Sequence, residues 1–170
     1  MTNKAKLSQR KDKFFRILVG IDGSQSSIDA TGYAIELAKR DNAELIVIHI
    51  LSTKLGGYEH TPKPLLFGLP ATPSSVNNII ETSEQEAQRW LIRIKQQLLE
   101  DKNNQIKLIT AILLASTERI AAEIVDYAQL KNADLIVLGT KGRSSFKKLL
   151  LGSVASEVVT YAHCPVLIVK

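Results

Sequence analysis

The sequence predicts an α/β fold: a single doubly wound domain whose five-stranded parallel sheet, in the order 3-2-1-4-5, carries helices on both faces. Three observations predict it. Five short apolar runs alternate with four helical stretches, the pattern of parallel β/α units. The runs are nearly continuous in apolar residues, as strands covered on both faces must be. The chain of 170 residues is long enough for one substantial core.

Taken in order, Arg16-Ile-Leu-Val-Gly-Ile-Asp22 reads as the first strand, ending in a turn at Asp22-Gly23-Ser24. Ser26 or Ser27 is placed to cap the next helix, with Asp29 in its first turn; Ala30, Ala34, Leu37 and Ala38 give its apolar face, which runs to about Arg40. Glu44–Ile50 is the second strand, with His49 a core or rim histidine inside it. Residues 52–75 hold three glycines and four prolines, too broken for a regular element, and loops of that length are commonly lids or disordered. A helix from about Val76 to Glu100 follows, and Ala87, Trp90, Leu91, Ile94 and Leu98 form its core face. Gln105–Leu113 is the third strand. Ser116 or Thr117 is the expected cap of a helix carrying Ile120, Ala121, Ile124, Val125 and Ala128. Leu135–Leu138 is the fourth strand, Ser153–Ala162 the fourth helix and Pro165–Val169 the fifth strand.

The net charge of +5 is concentrated at one end. Lys4, Lys6, Arg10, Lys11 and Lys13 face Asp12 alone, so residues 1–13 account for +4 of it. They read as a disordered basic tail ahead of a domain spanning 14–170, and nucleic acid is not an expected partner. No apolar run approaches the length that spans a bilayer, so no membrane association is expected. The polar N-terminus lacks the apolar core of a secretory signal. The single cysteine, Cys164, excludes an internal disulfide framework and fits a reducing cytoplasm. His163-Cys164 has no second cluster to complete a zinc site, and no metal is expected.

The chemistry concentrates in the stretch from Gly139 through Gly142 to Gly152-Ser153, between the fourth strand and the fourth helix. Spaced glycines feeding a helix start make an anion site, because backbone N–H groups can approach an oxyanion and the helix end adds unpaired donors and partial positive charge. Lys141, Arg143, Lys147 and Lys148 add full charges, although the last two also read as solvated lysines. The spacing is neither a Walker loop nor a Gly-x-Gly-x-x-Gly fingerprint. In a doubly wound sheet, ligands sit beyond the carboxyl ends of the strands where the winding reverses. Here that point lies between strands one and four, which would set Asp22 and Gly139 across one crevice. Asp22 has a second reading, as a cap for the turn at Gly23-Ser24.

Gly139-x2-Gly142-x9-Gly152-Ser153, the strand ending Val19-Gly-Ile-Asp22-Gly-Ser and the closing Cys164-Pro-Val-Leu-Ile-Val169 together resemble the universal stress protein family, from about Phe15 to Lys170. The three-glycine spacing is similar to the family's ATP-binding branch. The resemblance implies ATP or AMP as the ligand, with or without Mg2+. It implies that Asp22 meets the adenosine end and that Ile50 lines the adenine pocket. Gly139 and Gly142 would approach ribose and phosphates, beside Arg143, and Gly152, Ser153 and Val154 would offer N–H groups to the phosphate chain. It also implies a homodimer through Pro165–Val169. One departure stands out: the family commonly shows Gly-x-Pro before the third helix, and this chain has neither residue from Leu113 to Glu123. The glycine place counts to Glu118 from the helix, or to Leu114 from the strand.

Between Gly139 and Ser156 there is no Asp, Glu or His. Phosphoryl transfer needs a metal-holding carboxylate and a group that orients water. The stretch therefore reads as a holding loop without catalytic residues, in an adenine-nucleotide-binding regulatory protein of the stress response. A slow ATP hydrolase is the alternative.

Overall fold

A computed structural model describes residues 13–52, 65–66, 69–70, 73–100, 105–115, 119–142 and 151–170. Strands β1 (Arg16–Gly20), β2 (Glu44–Ser52), β3 (Leu108–Ala115), β4 (Leu135–Gly139) and β5 (Val166–Val169) form one sheet in the order β3-β2-β1-β4-β5. All four pairings are parallel. The predicted architecture and strand order are the observed ones. Helices α1 (Gln25–Asp41), α2 (Pro73–Glu100), α3 (Ile120–Leu130) and α4 (Ser153–Tyr161) make the crossovers. A two-residue antiparallel pair, Leu65–Leu66 with Leu69–Pro70, lies in the stretch read as too broken for regular structure. Residues 53–64, 67–68 and 71–72 of that stretch, like residues 1–12, are outside the described residues.

Alternation along the strands divides the core in two. Ile17, Val19, Leu45 and Val47 pack with Ala30, Ala34 and Ala38 of α1 and with Leu91, Ile94 and Leu98 of α2. Leu18, Ile46, Ile48, Ile136 and Leu138 pack on the other face with Ala121, Ile124 and Ala128 of α3 and Val158 of α4. Burying each of these larger side chains contributes roughly 1.5–3 kcal/mol, which is why the continuous apolar runs take the central strands.

Several boundaries differ from the sequence reading. The cap of α1 is Ser24, not Ser26 or Ser27: Ser24 Oγ accepts the Ser27 N–H at 3.3 Å. The helix thus begins two or three residues earlier, at Gln25, and Asp29 falls beyond its first turn, accepting from Gln25 Nε2 at 2.9 Å instead. Helix α2 begins at Pro73, whose missing N–H costs nothing in a first turn. Arg119 occupies the cap position of α3 without a side-chain capping bond, while Ser116 and Thr117 lie outside the described residues. β3 is shifted towards its C-terminus because β2 continues to Ser52, and Leu51 and Ser52 pair with Leu114 and Ala115. β1 stops earlier, at Gly20 opposite Ile48. The end of β2 therefore overhangs β1.

The opposite end of the sheet is tied by charged groups. Asp134 accepts the N–H groups of Phe15 and Arg16 at 2.9 and 3.0 Å, joining the starts of β1 and β4. Glu44 lies 2.5 Å from Lys107 Nζ and 3.0 Å from Arg16 Nε; these bonds, Lys107 foremost, hold its carboxyl below the usual range. Asp41 is buried and takes two bonds from the Arg40 guanidinium, at 2.7 and 2.8 Å, and one from the Phe14 N–H at 3.0 Å. Arg40 foremost, against the opposing effect of burial, holds its carboxyl at about 2.

An acid-stability prediction follows from that depressed value. The contribution of Asp41 is complete above its ordinary value of 3.8 and disappears as pH falls through about 2. Discounted for the exposure of Arg40, it amounts to about 1–2 kcal/mol. Denaturant titrations from about pH 5 down to pH 2 should show a smaller acid loss in Asp41→Asn than in the wild type. Equal slopes would contradict it.

Candidate functional site

The crevice lies at the carboxyl ends of β1 and β4, where the strand order reverses. The ladder of β1 ends at Gly20, and Ile21 donates to the Ile48 carbonyl at 2.9 Å. Asp22 then enters the turn. Its Oδ1 accepts the Ser24 N–H at 3.0 Å and the Ser24 hydroxyl at 2.6 Å. This is the turn-capping role open to Asp22 from the sequence. Its Oδ2 faces the glycine stretch, since a Cβ on Gly142 would come within 2.8 Å of it. One carboxylate thus shapes the turn and borders the crevice.

Gly23 has φ +79°, in the left-handed region that favours glycine, and a Cβ there would lie 2.2 Å from Trp90 Cζ2. The indole of α2 is therefore the floor of the turn, in keeping with its expected core role. Trp90 meets His49 edge-on, with centroids 5.3 Å apart and planes at 71°. His49 is buried, and its Nδ1 lies 2.6 Å from the Ile21 carbonyl; a carbonyl only accepts, so Nδ1 carries the proton. Sequence reasoning placed His49 in the core or at its rim and Trp90 in the core, but missed that His49 and Trp90 support the residues on either side of Asp22.

Gly139 and Gly142 serve different ends. A Cβ on Gly139 would fall 2.6 Å from both the carbonyl carbon and the Oγ of Ser26. Its first role is to let β4 meet the start of α1, and the residue across from it is Ser26 rather than Asp22. Gly142 is exposed and meets Asp22. Between them, the Lys141 carbonyl accepts from Ser26 Oγ at 2.7 Å and lies 3.1 Å from Ser24 Oγ.

The far end of the stretch is pinned as well. Thr140 donates its N–H to the Val169 carbonyl at 2.8 Å and accepts the Gly152 N–H at 2.7 Å. The Gly152 N–H, assigned to a phosphate on sequence grounds, is thus used inside the protein. Gly152 is the extended cap residue of α4, and its carbonyl accepts from Ser156 at 2.9 Å. Helix geometry leaves the N–H groups of Ser153 and Val154, in the first turn, without intrahelical acceptors. Ile50 lies in the overhang of β2, paired with Leu113 and half-buried against the α3–α4 face. Arg143, Lys147 and Lys148 are outside the described residues, as is Glu118. Leu114, the other place for the family's glycine, is a strand residue of β3, 62% exposed.

The acids nearest the stretch in sequence lie elsewhere. Asp134 is committed to β1 at the other end of the strand, and Glu157 is exposed in α4. A polar groove of about 550 Å³ opens at that other end, among Arg16, Asn42, Glu44, Lys107, Asn132 and Asp134. Its acids are already occupied by neighbouring N–H groups and ion pairs. His163 Nε2 lies 3.1 Å from the Ala133 carbonyl, and burial foremost, then Asp134, pushes the Cys164 thiol up. Among the described residues no three His, Cys, Asp or Glu side chains gather as a metal set, and no helix is long and apolar enough to cross a membrane.

A five-stranded parallel sheet wound in both directions, with Asp22 and Gly142 meeting at its switch point, defines the class of doubly wound α/β proteins. The chain belongs to the universal stress protein family, whose model matches residues 13–170. It is 38% identical over 156 residues to Universal stress protein MJ0531 of Methanocaldococcus jannaschii, covering 91% of this chain and 81% of that one. The solved universal stress protein UspA from Lactobacillus plantarum superimposes with a TM-score of 0.75 at 28% identity, covering 93% and 99% of the two chains. A universal stress protein solved in complex with cAMP matches with a TM-score of 0.58 at 25% identity, covering 93% and 98%.

Proposed function

We propose that the protein is an adenine-nucleotide-binding regulator of the stress response, taking ATP or AMP in the crevice between β1 and β4. The observation that carries this reading is the meeting of Asp22 with Gly142 at the switch point of the sheet. The family relative solved with cAMP supports the adenine class. In this reading Asp22 Oδ2 meets the nucleoside, and Ile50 walls the adenine. The backbone from Gly139 to Gly142, with Arg143, follows ribose and phosphates, and Gly152 holds the cap of α4. Ser153 and Val154 supply the N–H groups, and Ser153 a hydroxyl. Mg2+, if it accompanies ATP, would sit on the phosphates. We place the protein in the cytoplasm.

Denaturing the purified protein and identifying what it releases tests the reading directly. Calorimetry gives the second test: Asp22→Ala should weaken AMP and ATP binding by about 10–100-fold, as expected for loss of a bond to a charged group. Unchanged affinity would remove Asp22 from the site. A crevice rich in donors and poor in bases holds phosphates better than it cleaves them. Single-turnover assays with magnesium should accordingly show negligible hydrolysis; robust turnover lost in Gly142→Ala would establish the hydrolase instead.

Assembly is part of the same proposal. Among the described residues β5 pairs with β4 alone, and an apolar edge strand invites a partner. A homodimer through Pro165–Val169 is expected, and a monomer by sedimentation at micromolar concentration would overturn it.

A further inference from the structure

The contact between α1 and the glycine stretch depends on one hydroxyl. Ser26 Oγ donates to the Lys141 carbonyl at 2.7 Å, and the Lys141 N–H approaches the same Oγ at 3.4 Å. Ser24 Oγ also lies near that carbonyl, at 3.1 Å, but it stands 2.6 Å from Asp22 Oδ1. A hydroxyl has one proton, and a short bond to a carboxylate is the stronger claim on it. Ser24 is thereby committed to Asp22, which leaves Ser26 as the donor for Lys141. Among the described residues, the Lys141 backbone lies within hydrogen-bonding distance of these two serines alone, and of the two only Ser26 has a proton to give it.

Lys141 sits between Gly139 and Gly142, so the orientation of its peptide groups sets the direction in which the Gly142 backbone faces the crevice. Ser26 is itself fixed, because α1 is capped by Ser24 and Gly139 packs directly on the Ser26 backbone. The hydroxyl is a short, rigid strut from a helix to a segment rich in glycine, which would otherwise sample many conformations.

We propose that Ser26 is the positioning residue of the nucleotide site: it clasps Lys141 and pre-orders the backbone from Gly139 to Gly142 for the ribose and phosphates. The proposal rests on the nucleotide reading above. A loop held in its binding conformation spares the ligand the entropy of ordering it, and affinity falls in proportion when the competent state is only partly populated.

The test uses the full chain as wild type, Ser26→Ala and Ser26→Thr. Two readouts are needed: amide hydrogen exchange at Lys141 and Gly142 in the ligand-free protein, and AMP and ATP dissociation constants by calorimetry. Ser26→Ala should speed exchange at Lys141 by about 5–10-fold and weaken both nucleotides by about tenfold, while amides of the central strands keep their protection. Ser26→Thr, which keeps the hydroxyl, should return both readouts to within about twofold of wild type. Wild-type affinity in Ser26→Ala would overturn the proposal. So would unchanged Lys141 exchange, or an affinity loss accompanied by deprotection of the whole sheet. A wild-type protein with no affinity for either nucleotide would overturn the reading of the site, and the positioning role with it.

Discussion

Gly23→Ala is expected to lower the unfolding free energy by about 2–4 kcal/mol, the largest loss anticipated for a single added methyl group in this chain. Two costs combine. An alanine at φ +79° meets the left-handed penalty of about 1–2 kcal/mol. Its methyl would also stand 2.2 Å from Trp90 Cζ2, with Cη2 and Cε2 at 2.6 and 2.8 Å, so the indole must move. Overpacking of that kind costs about 1–3 kcal/mol. Trp90 cannot retreat freely, since His49 lies against its edge and the α1–α2 core surrounds it. Chemical denaturation measures the loss. Trp90 is the sole tryptophan, so its emission reports the displacement without labelling. A variant within about 0.5 kcal/mol of wild type would show that the turn can relax at little cost.

Gly139→Ala comes second, and its comparison with Gly142→Ala separates two uses of glycine in one stretch. The methyl at 139 would meet the Ser26 carbonyl carbon at 2.6 Å and its oxygen at 2.8 Å. Those are backbone atoms at the start of a helix, and they move only if α1 moves. A loss of about 1–3 kcal/mol is expected, with nucleotide affinity falling alongside. At 142, among the described residues, the methyl would meet Asp22 Oδ2 alone, the end of a side chain. Stability should change by less than about 1 kcal/mol there, while affinity falls by about tenfold or more as Asp22 is pushed aside. Equal stability losses at the two positions would refute the division.

The fold was legible because its signals are local and redundant. Runs such as Arg16–Ile21 and Ala133–Leu138 leave a buried strand as the economical reading, and four crossovers between five such runs leave few topologies. Of the candidate site, the sequence brought Asp22 and Gly142 into view, and these two do meet at the carboxyl end of the sheet. What each residue does there was not legible. The Gly152 N–H satisfies Thr140, and Gly139 accommodates Ser26; both facts come from residues distant in sequence that meet only once the sheet is assembled. The cap of α1 was misplaced because three serines in four residues are chemically equivalent as letters, and only the turn set by Asp22 selects Ser24. The left-handed Asn42 and Asn132, which end α1 and α3 alike before β2 and β4, were a readable signal that went unread.

The bond between the Thr140 carbonyl and the Gly152 N–H has a consequence for how this chain can change. It joins the exit of β4 to the entrance of α4, so the interval between them is a ring closed at its base, whatever path the intervening residues take. Closing a flexible ring costs free energy only as the logarithm of its length, about 0.6 kcal/mol for each doubling. Segments added within that interval would leave β4 and α4 where they are. The same fold can therefore carry intervals of very different length and composition over a fixed frame. Added length there weighs less on the frame than a single methyl group at Gly139 would.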